Sequence, residues 1–97
     1  MKLLPDDIAQ RVPPLYSQDE QGDNAIAVVK FFTPWTGWTW YASEYDSDKR
    51  LCFGVVVGQE REFGYFSLDE LEEIRGPGGL TIERDLHWKP RPLKECH

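Results

Sequence analysis

The chain has 97 residues, a net charge of −6, 40% hydrophobic and 13% aromatic residues. That length supports a single compact domain over 1–97, burying at best roughly two-thirds of its unfolded surface around one core. No run approaches the roughly 18 apolar residues of a membrane span, and the acidic balance disfavours non-specific binding to phosphate backbones while suiting a basic partner.

In chain order, residues 5–12 (PDDIAQRV) predict a short helix. Pro5 suits its first turn, and Asp6 and Asp7 suit its positive end. Leu4, Ile8 and Val12 lie on one stripe, and Pro13 and Pro14 stop it. The start, MKLLPDDIAQ, puts acids and a proline where a signal peptide would stay apolar, so a cytoplasmic protein is expected. Residues 17–24 (SQDEQGDN) have no periodicity and read as a mobile surface loop.

Residues 25–66 hold most of the aromatic and β-branched residues and predict an antiparallel meander. Strand one covers 25–33, with a Pro34–Gly37 turn behind it. Strand two covers 38–45. Its alternation puts Trp38, Trp40 and Ala42 on one face and Thr39, Tyr41, Ser43 and Tyr45 on the other. Residues 51–57 and 62–66 give strands three and four. Gly54 and Gly64 inside them mark a bulge, a bend or a close backbone approach, with a helix or large ring expected over that face.

Ser67-Leu68-Asp69-Glu70 is a capping box that starts the main helix, at about 68–75, with Glu70 reaching back to the cap. Leu68, Leu71 and Ile74 or Arg75 face inward, and Gly76-Pro77 ends it. Residues 80–88 alternate and predict a fifth, edge-pairing segment. Pro90 and Pro92 make 90–97 an extended tail. Cys52 lies inside a strand and Cys96 beside the chain end, so both read as free thiols, one buried and one frayed. The fold expected is α+β: a four- to five-stranded antiparallel meander sheet, the main helix packed on it, and a short N-terminal helix.

Six stretches in fixed order resemble one family: LLPDDI, PPLYSQ at 13–18, VKFFTP at 29–34, WTWYASEYD at 38–46, GYFSLDELEEIRGPGGL at 64–80 and IERDLHWKPRPL at 82–93. Together they resemble the bacterial domain-of-unknown-function 2958 family. Its members are small proteins of plasmids, integrative elements and phages, sometimes attached to large DNA-processing polypeptides. The resemblance implies a mobile-DNA context and carries no catalytic residues.

No phosphate-binding loop or nucleophile elbow occurs in the sequence. Cys96-His97 offers two ligands where a structural zinc needs four, and Asp46 and Asp48 lack the rest of a calcium loop. No metal, cofactor or catalytic residue is therefore assigned. His87 reads as an exposed polar side chain, with an enzyme kept as the third reading should it line a pocket with carboxylates.

Residues 51–75 carry two bases against six acids. The helix acids Asp69, Glu70, Glu72 and Glu73 are expected to point outward as a solvated face or, with Glu60 and Glu62, as an acidic surface for a basic groove. Trp38 and Trp40 read as core. Trp35 in a turn reads as an exposed contact, and Tyr41 and Tyr45 as candidate surface. The expectation is a non-enzymatic protein-interaction module of a mobile element, its specific form an inhibitor of a host nucleic-acid-targeting defence such as CRISPR or restriction. The second reading is an accessory nucleic-acid-binding domain using the aromatic sheet and the bases Arg84, Lys89, Arg91 and Lys94.

Overall fold

Alternating β-branched and aromatic side chains, punctuated by Pro, Gly, Asp and Ser turns, build a sheet. The computed structural model describes residues 2–97. Its strands are β1 (Ile26–Ala27), β2 (Val29–Phe32), β3 (Thr39–Asp46), β4 (Leu51–Val57), β5 (Arg61–Ser67), β6 (Glu83–Arg84) and β7 (Arg91–Pro92). The main sheet has five antiparallel strands in the order β5-β4-β3-β2-β6, and β1 pairs with β7 in a separate ribbon. Helices α1 (Asp6–Ala9) and α2 (Leu68–Glu73) complete an α+β fold.

One face of the sheet carries the main core. Leu3, Leu4, Val12 and the α2 residues Leu68 and Leu71 pack on Phe31, Trp40, Cys52 and Phe66. Fully burying each leucine is worth about 1.5–3 kcal/mol. The Ser67 hydroxyl accepts the Glu70 N–H at 3.3 Å, so α2 starts where the cap predicts. It ends earlier than expected, at Glu73, because Ile74 is extended and Arg75 bridges to Thr81.

The other face carries a second, smaller core where the sequence suggested only one. Leu93 and Cys96 of the chain end bury against Ala25, Ala27, Tyr41 and Val55. Residues 90–97 are therefore anchored over the sheet, and Cys96 is buried, not frayed. The anchor also splits the expected first strand. β1 leaves the main sheet to pair with β7, while the Val28 N–H still reaches the Ala42 carbonyl at 2.8 Å.

β3 changes phase midway. Its partners run from Ala42↔Gly54 to Glu44↔Phe53, leaving Ser43 as a bulge. Beyond it, inward and outward exchange, so Tyr45 joins Trp40 in the main core and not Tyr41. Gly54 fits this approach, since a Cβ there would stand 1.8 Å from the Tyr41 carbonyl oxygen. No ring or helix covers Gly64, whose missing Cβ would meet open space.

Residues 17–24 are surface turns tied at one end. The Gln18 side chain donates to the Ser43 carbonyl at 2.7 Å and accepts the Ile26 N–H at 3.0 Å. Of residues 80–88, Glu83 and Arg84 form a two-residue strand on the β2 edge, the Asp85 N–H donates to the Lys30 carbonyl at 2.9 Å, and Thr81 bridges to Arg75. Asp85 accepts the His87 N–H at 2.9 Å and turns the chain. Leu86 is thereby left exposed, while Ile82 is buried in the main core.

Candidate functional site

The acids of α2 divide into two groups. Arg50, in the left-handed region at φ 52, ends the turn between β3 and β4. Its guanidinium reaches both carboxylate oxygens of Glu72, at 2.9 and 2.8 Å, and also pairs with Asp69. Such a two-pronged contact is the strongest form of this ion pair. Glu72 also accepts the Leu3 N–H at 2.9 Å. The Arg50 contact holds the Glu72 carboxyl below its ordinary range, and Glu72 in turn raises the affinity of Arg50 for its proton. Glu72 is thus a half-buried structural clamp, correcting its expected outward position. Glu70 and Glu73 are exposed and make no ion pair among the described residues.

The candidate aromatic surface also changes. Tyr41 and Tyr45 are buried on opposite faces, and burial pushes both phenols up. The Tyr41 hydroxyl donates to the His97 carbonyl at 3.2 Å, which fixes the tail. Neither is a contact surface. Trp35 is half-buried: its ring lies against Gly76, where a Cβ would come within 2.5 Å, and it packs on the main core.

Trp38 takes the exposed position expected of Trp35. Alternation does put it on the Trp40 face, and the two rings lie 6.1 Å apart. However, β3 begins at Thr39, paired with Val57, so Trp38 overhangs the end of the ladder. Its ring rests on Gly58 and remains 43% exposed. With Val56, Gln59, Glu60 and Glu62 it lines an open cavity of about 390 Å³. Glu60 and Glu62 are exposed and unpaired among the described residues. Of the expected acidic surface, this pair acquires an aromatic neighbour.

A second aromatic group was missed from the sequence. On the opposite face, Phe53 lies 5.0 Å from Tyr65 and 6.3 Å from Phe63. Phe63 is 47% and Tyr65 52% exposed. The period-two pattern of β5 contains this face. What it does not contain is that the tail covers the Val55 half of the sheet and stops short of the Phe53 half.

The basic residues are partly committed to the fold. Arg91 stacks over the Trp88 ring at 4.3 Å, and Trp88 donates to the Ala27 carbonyl at 3.0 Å. Arg61 donates to the carbonyls of Leu93 and Cys96 at 2.8 and 2.9 Å and pairs with Asp23. Lys89, Lys94 and His87 are exposed, and Arg84 sits on the β6 edge. Among the described residues no three of His, Cys, Asp and Glu gather closely enough to hold a metal ion. No helix there is long and apolar enough to cross a membrane.

Compared with known proteins, residues 3–94 match the model of one family, described as protein of unknown function (DUF2958). No curated protein and no solved structure matches the chain.

Proposed function

The chain belongs to the family described as protein of unknown function (DUF2958), matched over residues 3–94, and on that premise we propose that it is a non-enzymatic protein-interaction module of a bacterial mobile genetic element. Its partner is a protein with a basic surface, and its specific role is inhibition of a host nucleic-acid-targeting defence such as CRISPR or restriction.

One observation carries this reading: an exposed Trp38 ring beside the unpaired carboxylates of Glu60 and Glu62. An aromatic face attracts a cation, most often a guanidinium, and adjacent carboxylates pair with it. Tryptophan and arginine are also the residues that most often anchor protein interfaces. Glu70 and Glu73 add to the negative field, which the net charge of −6 reinforces. The site residues are therefore Trp38, Glu60 and Glu62, with Glu70 and Glu73 supporting.

The test has two arms. An oligoarginine peptide titrated against the protein binds with an affinity that falls as salt rises, and the triple variant Trp38→Ala, Glu60→Gln, Glu62→Gln loses it. In cells with active CRISPR or restriction, the wild-type chain raises phage plating efficiency and the triple variant does not. Equal behaviour of the two proteins in both arms refutes the reading.

The nucleic-acid alternative is favoured by one contact, the Arg91–Trp88 stack beside Lys89 and Lys94. It predicts single-stranded DNA binding at low salt that Lys89→Glu with Lys94→Glu abolishes. No binding at low salt removes it.

A further inference from the structure

The outer edge of β5 is unblocked. β5 pairs with β4 on one side and ends the sheet on the other. Among the described residues, no other segment hydrogen-bonds to the backbone of residues 62–66. The register against β4 is continuous from Leu51↔Ser67 to Val57↔Arg61, so no bulge twists the strand away. It contains no proline. Folded proteins normally block a free edge with prolines, bulges or charges, because alternate N–H and C=O groups otherwise template another strand. The centre of β5 is Phe63-Gly64-Tyr65, and both its rings are about half-exposed.

We propose that β5 is a homodimer interface, pairing antiparallel with β5 of a second copy about a two-fold axis through Gly64. The strand is self-complementary about that point. Gly64 is the middle of its seven residues, so Phe63 of each copy falls opposite Tyr65 of the other. This joins the two Phe53–Phe63–Tyr65 groups into one aromatic face, and aromatic cross-strand pairs stabilise such ladders.

The charges are compatible with this pairing. Arg61 falls opposite Ser67, and Glu62 opposite Phe66, so no charge meets its own kind. The two Glu62 residues stand about 13 Å apart at about 3.3 Å per residue, beyond the roughly 8 Å screening length of physiological salt. A seven-residue strand is about 23 Å long and a sheet is about 10 Å deep. That is about 230 Å² on each copy and about 460 Å² in total, below the roughly 1,200 Å² of a standard stable interface and in the range of weak, transient contacts. The dimer is therefore reversible and concentration-dependent, not obligate.

Sedimentation from about 1 μM to about 1 mM spans the affinities of a contact this small. The wild-type mass is expected to rise from monomer towards dimer over that range. Phe63→Lys, an exposed position, stays monomeric with its melting midpoint retained. Under mild oxidation Gly64→Cys cross-links to a dimer, whereas Glu62→Cys does not. The wild type, whose two cysteines are buried, is the background control. A wild type that is monomeric throughout overturns the proposal. So does a dimer that survives Phe63→Lys, or equal cross-linking at positions 62 and 64. Of these variants only Glu62→Cys alters the Trp38 cavity, and it is read by cross-linking alone; the wild-type mass and the Phe63→Lys and Gly64→Cys results do not depend on the proposed basic partner.

Discussion

Glu44 is a buried carboxylate, 2% exposed, with no arginine or lysine partner among the described residues. It accepts the Tyr16 N–H at 2.8 Å and the Gln18 N–H at 2.7 Å. Tyr16 has φ 70, a left-handed backbone that costs a bulky residue about 1–2 kcal/mol. Glu44 is thus what holds the loop before β1 against the bulge of β3. Glu44→Ala leaves two N–H groups without their acceptor. Each hydrogen bond to a charged group is worth about 1.5–3 kcal/mol, discounted here because a loop released from the sheet regains water. The expected loss is about 2–4 kcal/mol. Glu44→Gln keeps one acceptor oxygen and turns an NH₂ towards the other donor, so it recovers at most about half. Urea unfolding followed by tryptophan fluorescence measures both variants. With a slope of at least about 1 kcal/mol/M, the alanine midpoint should fall by one to several molar units at most, on the order of 2 M for a mid-range loss. A Glu44→Ala stability within about 0.5 kcal/mol of wild type, the range of a neutral surface change, refutes the reasoning.

Three further outcomes are expected. The Glu72 carboxyl titrates below its ordinary value because Arg50 holds it charged. Its stabilisation is therefore full above the ordinary carboxyl range and lost as pH falls through the depressed folded value. Glu72→Gln should be less stable than wild type at pH 7 and converge on it in acid, as measured by unfolding at a series of pH values. Gly54→Ala sets a Cβ 1.8 Å from a backbone oxygen, so it should cost more than about 3 kcal/mol, while Gly64→Ala, facing open space, should stay within about 1 kcal/mol. Thermal melts of the two variants check this pair. Burial pushes the Cys52 thiol up to about 12 and raises Cys96 as well. A thiol reagent at pH 8 should find neither in the native protein and both after denaturation.

Strand existence, the sheet's antiparallel sense and the Ser67 cap were legible because each depends on neighbours in the chain: period-two alternation, turn residues, and a hydroxyl three residues before an N–H. β4 appears over the residues the pattern indicates. The candidate site was less legible. Glu60 and Glu62 remained surface, but Trp38 and Trp35 exchanged roles because ladder ends and a distant glycine decide which ring is covered. Nothing local distinguishes Glu72 from Glu73, which differ only in facing Arg50.

The sequence by itself determined an acidic α+β fold, its main strands, its turns and the start of its helix, since these follow from local periodicity and backbone preference. Tertiary structure alone decided the rest. One extra residue at Ser43 reverses every side chain beyond it and buries Tyr45 with Trp40. The chain end folds back over half of a sheet face, making Leu93, Cys96 and Tyr41 a second core. The physical reason is common to both: a strand's alternation specifies two faces, but which face is inside at each point depends on what arrives from elsewhere in the chain to cover it.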